Sequence, residues 1–164
     1  MGATISTKQT ASVITSAELL EHWQGHRRLT RKLIEAFPEK EFFEYSIGGM
    51  RPFAKMVQEL LAVSAPGIRQ IVGGQVEKLN EQLSDTNSKA DILALWDKAT
   101  EDINHYWSQL TDERFHDTIL AFGKYEGTVW YSILYFIDNE IHHRGQAYVY
   151  LRSLGVEPSP FWER

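Results

Sequence analysis

Four long segments of this chain repeat apolar residues every three or four positions, and that repeat decides which class of fold is open to it. A strand alternates every two residues, whereas a helix gathers positions three and four apart on one face. The first segment runs from about Ala17 to Phe37, with Leu19, Trp23, His26, Thr30, Leu33 and Phe37 in one stripe. Thr15 with Glu18 has the spacing of a capping box, and Pro38 stops the helix. The second opens near Met50, with Pro52 in a first-turn position and Phe53, Met56, Val57, Leu60 and Ser64 as its stripe. Pro66 is expected to kink or break it, leaving a short continuation from Ile68 to Val72 before Gly73 and Gly74. The third runs from about Lys89 to Leu110, opened by Ser88 with Asp91 three residues on. The fourth runs from about Thr128 to Leu154 and stops at Gly155. No stretch reads as a strand, although a short element is expected around Phe115 to Phe122. Four amphipathic helices predict an all-α, four-helix bundle. Residues 1–14 form a flexible tail on this reading, and residues 15–164 a single domain.

The fourth helix carries two apolar stripes on roughly opposite sides. One holds Ser132, Phe136, Asn139, His143, Ala147, Tyr150 and Leu154; the other holds Leu134, Ile137, Ile141 and Tyr148. A helix apolar on two sides is either central or shared with a partner, which points to a homodimer.

Composition removes several classes of function. With 164 residues, 43% of them hydrophobic and 24% charged, the chain has the make-up of one ordinary globular domain. Its formal charge of -5 is spread among interspersed residues of both signs, which argues against a nucleic-acid partner. The absence of cysteine excludes a disulfide scaffold, a thiolate-bound zinc and a cysteine nucleophile, and it suits a cytoplasmic protein. No run approaches the roughly 18 apolar residues of a membrane span. The opening "MGATIS" fits a loose myristoylation pattern, but no basic patch follows to complete an anchor.

The stretch "DNEIHHRGQ" holds the residues with the most chemistry. Asn139 and His143 are four apart and share the inward stripe, whereas His142 is turned by about 100° to an edge. His26 lies in the first helix's stripe, Glu59 at the border of the second's, and Tyr150 beyond His143 on the same face. Bundle cores build metal sites from inward His and Glu on facing helices, and zinc or nickel accepts imidazole and carboxylate together. The plainer reading is a hydrogen-bonded core histidine, a solvated edge carboxylate and a core amide.

On these residues the sequence resembles the DinB/YfiT-like family of small four-helix bundles. The segment "HWQGHRRLTRKLIEAFPEKEFFEYSIGGMRPFAKMVQELL" is similar to the family's first two helices, and "NEIHHRGQAYVYLRSLGVEPSPFW" to its closing helix and tail. The resemblance implies a divalent metal held by three histidines, one from the second helix and two from an HxxxH pair on the last. Where the family reads H-E-I-H-H-R-G-Q, this chain begins with Asn139 and keeps His143; where the second helix carries its histidine, this chain has Glu59. The implied ligand set is therefore Glu59, Asn139 and His143, with His26 and Tyr150 as further pocket residues.

Three functions follow from the resemblance and the substitutions. The first is a metal-dependent hydrolase or low-molecular-weight-thiol transferase, using zinc, nickel or manganese to activate a bound water or thiol. The second is a non-catalytic bundle that has lost its metal and binds a small molecule or serves a structural, stress-related role. The third is metal-free acid–base chemistry by Glu59 and His143, which requires the two within hydrogen-bond reach.

Overall fold

A computed structural model describes residues 13–83 and 86–164. The chain folds as α1 (Ser16–Ala36), α2 (Glu39–Glu44), α3 (Phe53–Gly73), α4 (Lys89–Trp107), a 3-10 turn (Asp112–His116), β1 (Thr118–Ala121), β2 (Tyr125–Thr128) and α5 (Val129–Ser153). The expected N-terminal tail and its "MGATIS" pattern fall almost wholly outside the described residues.

The expected capping box forms at the start of α1, and the start signal at Ser88 proves to be a second one. Thr15 accepts from the Glu18 backbone while the Glu18 carboxylate accepts from the Thr15 backbone at 2.8 Å, and Ser88 and Asp91 make the same reciprocal pair. Each satisfies helix-end donors that would otherwise be orphaned. The four long helices close a ring in which α1 touches α4 and α5, and α3 touches the same two from the other side. Trp23, Leu33, Phe53, Leu60, Ile68, Trp96, Ile103 and Phe136 fill the space between them. The short α2 seats Phe42 edge-on to Phe37 and Phe53, which stack on each other at 5.0 Å.

Two expectations need correction. Pro66 does not break the second helix, because α3 runs unbroken from Phe53 to Gly73. The proline costs one backbone hydrogen bond, about 3 kcal/mol in an exposed helix. Here Ala62, Val63 and Ala65 before it and Ile68 and Ile71 after it are all buried, and extending the helix is what buries the second group. At Gly67 the missing side chain admits the Phe136 ring: a Cβ there would lie 2.5 Å from Phe136 Cζ.

The connection after α4 contains strands where none was expected. β1 and β2 pair antiparallel, with Ala121 opposite Tyr125. Phe122 and Gly123 turn the chain with φ of 52° and 68°. A phenylalanine in the left-handed region is strained. Gln70 of α3 holds it there: its Oε1 accepts from Phe122 N at 2.9 Å and its Nε2 donates to Leu120 O at 2.9 Å. The hairpin is thereby fastened across the α3–α5 seam.

The second stripe of α5 is covered in part by the chain itself. Ile137 is buried in the core, and Tyr148 donates to Ser159 O at 2.8 Å where the C-terminal segment folds back. Ile141 remains exposed.

Candidate functional site

Glu59 projects from α3 toward α5, where Asn139 and His143 stand one turn apart on the facing ridge. Asn139 Nδ2 donates to Glu59 Oε1 at 3.1 Å, and His143 Nε2 lies 3.2 Å from the same oxygen. Arg51, at the mouth of α3, donates through Nη2 to Oε2 at 2.5 Å. Burial alone would push the Glu59 carboxyl up, but the bonds from Arg51, His143 and Asn139 together hold it below the ordinary carboxylate range. An ionised carboxylate only accepts, so His143 Nε2 carries a proton and donates it. Its Nδ1 faces Gln146 Oε1 at 3.5 Å, while Gln146 Nε2 donates to His142 at 3.0 Å. His142 itself is exposed, at the edge where its position in the helix puts it.

The structure thus brings Glu59, Asn139 and His143 together and keeps the other two sequence candidates apart from them. His26 is buried, but its Nδ1 accepts from Arg144 at 2.7 Å and its Nε2 lies 3.1 Å from His22. Tyr150 is fully buried and donates its hydroxyl to Arg51 O at 3.0 Å, so it steadies the backbone that carries Arg51.

A cavity of about 180 Å³ opens beside this group, between α3, α5 and the hairpin. Of the three clustered residues only Glu59 lines it. Asn139 and His143 stand behind the carboxylate, and the remaining walls include Phe122, Phe136, Tyr131, Tyr135 and Tyr125. A wider hollow of about 560 Å³, beside Thr15, His116 and Trp130, holds none of these groups.

This donor set does not suit the divalent metal that the family resemblance implies. Zinc and nickel sites want several imidazoles or thiolates with free lone pairs. Here the one imidazole spends its inward nitrogen as a donor, and the amide points its NH₂ at the carboxylate. Both carboxylate oxygens are taken, one of them by a guanidinium that a metal ion would have to displace to reach that oxygen. Among the described residues no group of three or more His, Cys, Asp or Glu is placed to hold a metal ion.

Sequence reasoning missed two sets of residues here. Tyr131 and Tyr135 continue the ridge of Asn139 and His143 at steps of four, so their spacing could have disclosed them. Glu140 is the second case. It is 1% exposed and accepts from Thr30 Oγ1 at 2.6 Å and Trp23 Nε1 at 3.3 Å. Arg27 lies 3.8 Å and Arg144 4.0 Å from it. Burial pushes the Glu140 carboxyl up and the Arg27 guanidinium down to about 10. This ionic group ties α1 to α5 on the side of α5 away from Glu59.

Comparisons with known proteins bear on the fold and its descent. The chain is 26% identical over 154 residues to the uncharacterized protein YjoA of Bacillus subtilis, across 91% of this chain and 97% of that one. The crystal structure of the DinB-like YjoA superposes with a TM-score of 0.71 at 20% identity, covering 90% of this chain and 99% of the other. A DinB-like protein from Bacillus cereus gives the same TM-score at 17% identity, covering 88% and 95%. A mycothiol-dependent maleylpyruvate isomerase is a more distant match, with a TM-score of 0.58 and 11% identity over 81% of this chain and 61% of that one. The sequence pattern described as the DinB family matches residues 6–163, and with the bundle in place the chain belongs to the DinB family.

Proposed function

We propose that this DinB family member binds a small molecule in the cavity beside Glu59, with that carboxylate fixing the ligand and Arg51, Asn139 and His143 fixing the carboxylate. The observation that supports the reading is the direction of the hydrogen bonds. Three donors, two from α5 and one from the loop before α3, converge on Glu59, which is the only one of the four on the cavity wall. Such a carboxylate is preorganised and charged, so it contributes orientation and electrostatic attraction. It is a poor proton acceptor, because the same bonds lower its basicity.

The metal-dependent hydrolase or thiol-transferase reading requires Glu59 and His143 to give up these bonds for a cation. It also requires Arg51 to withdraw. Its thiol branch draws on a fold shared with a mycothiol-dependent enzyme, and that likeness is one of fold alone.

One experiment separates the two. Protein equilibrated with zinc, nickel or manganese is dialysed and its metal measured by mass spectrometry, beside Glu59→Ala. A thermal-shift screen of small molecules follows, with and without chelator. The proposal expects no stoichiometric metal, and ligand shifts that survive chelator and disappear in Glu59→Ala. Stoichiometric metal that is lost in Glu59→Ala overturns it in favour of a rebuilt metal site.

A further inference from the structure

The cavity is lopsided in charge and rich in rings. Its lining contains three carboxylates, Glu59, Glu81 and Glu126, and no lysine, arginine or histidine. Glu59 has Arg51 as counter-charge; among the described residues neither Glu81 nor Glu126 has an ion-pair partner. Tyr125, Tyr131 and Tyr135 stand at the rim and are 59%, 65% and 52% exposed, so their rings are open to whatever enters. Phe122 and Phe136 close the interior. The Tyr135 hydroxyl is pushed up, first by burial and then by the charges of Glu59 and Glu81, so the negative field is felt at the rim.

Each class of ligand meets this lining differently. An anion is repelled. A bare divalent ion has no cluster of ligands among the described residues. A diffuse, weakly hydrated organic cation suits it, because ring faces attract such a charge and dispersed carboxylates add long-range attraction. Resting on the small-molecule reading above, we propose that the cavity takes the head of a small organic cation, a quaternary or protonated amine, against Tyr131, Tyr135 and Tyr125 over Glu59.

The test is a calorimetric titration with two matched pairs of probes. Choline is compared with 3,3-dimethylbutan-1-ol, which has its shape without its charge, and benzylamine with benzyl alcohol. At least one cation should bind ten-fold or more tightly than its neutral partner. Raised salt should weaken that binding. Tyr131→Leu, Tyr135→Leu and the double variant Glu81→Gln/Glu126→Gln should each weaken it several-fold, and circular dichroism would confirm that these exposed positions leave the fold intact. Neutral probes that bind as well as their charged partners would overturn the proposal while leaving a small-molecule cavity. Failure of all four probes alongside a chelator-resistant, Glu59-dependent hit of another class would likewise overturn the cation alone. Failure of all probes with stoichiometric metal bound would overturn both readings.

Discussion

Replacing Gly67 with alanine sets two forces against each other at the α3–α5 seam. Alanine in place of glycine inside a helix gains roughly 1 kcal/mol from propensity. The added Cβ, however, falls 2.5 Å and 2.6 Å from two ring carbons of Phe136, where ordinary contact begins at 3.4 Å. The ring must retreat by about 0.9 Å. Phe136 is 3% exposed, and overpacking of this kind costs about 1–3 kcal/mol. The expected net result is a loss of up to about 2 kcal/mol, or up to roughly 8 °C in Tm. Because the ring lines the cavity and sits one turn before Asn139, its movement also narrows the cavity and disturbs the bond to Glu59. Urea unfolding measures the stability term. The decisive feature is a change of sign: in a Phe136→Leu background, where the ring is gone, Gly67→Ala should stabilise by about the propensity gain. Equal stabilisation in both backgrounds would refute the packing argument.

Two other perturbations test the buried charges between α1 and α5. Arg27 is 1% exposed, donates to Thr100 Oγ1 at 2.7 Å and Trp96 O at 3.1 Å, and lies over the Trp96 ring at 3.9 Å. Arg27→Met should destabilise by about 3–5 kcal/mol, and adding Glu140→Gln should recover part of that, because the carboxylate then no longer needs a buried counter-charge. A double variant less stable than Arg27→Met would contradict this, with denaturant unfolding as the readout. His26 is held neutral, its pKa pushed down to about 3 by burial first and then by the charge of Arg144. The unfolded chain takes up that proton near 6.5, so stability present above pH 6.5 is lost progressively as pH falls toward 3. Urea midpoints across this window should decline, and His26→Asn, which keeps an acceptor for Arg144, should flatten the slope by up to one proton. An unchanged slope would show that His26 is not the titrating group.

The helices and their starts were legible because their signals are local: Thr15 with Glu18 and Ser88 with Asp91 are complete within one turn. The hairpin was not legible. Its turn is built on Phe122 and Gly123, without the Asn-Gly or Asp-Gly pair that marks such turns, and it is held by Gln70 from a distant helix. Pro66 misled for a related reason, since a local helix breaker was set against burial supplied by other elements. The grouping of Glu59, Asn139 and His143 was legible from spacing on two helices together with the family resemblance. What the sequence hid was the hydrogen-bond direction. Arg51 lies eight residues before Glu59 and outside the helix, so no helical period connects them. Glu140 escaped because α5 is buried on a broader face than one stripe. It packs on α1 through Glu140 and Arg144 and on α3 through Asn139 and His143.

His143 donates a hydrogen bond to Glu59 through a protonated Nε2, where a metal ligand would offer a lone pair. Long-range proton–nitrogen correlation on ¹⁵N-histidine-labelled protein reads this directly, with His143 assigned by its loss in His143→Gln. The expected result is a protonated Nε2 whose signal stays unchanged as zinc is added to several equivalents. Loss of that proton with a large nitrogen shift, saturating at one equivalent of zinc, would contradict it.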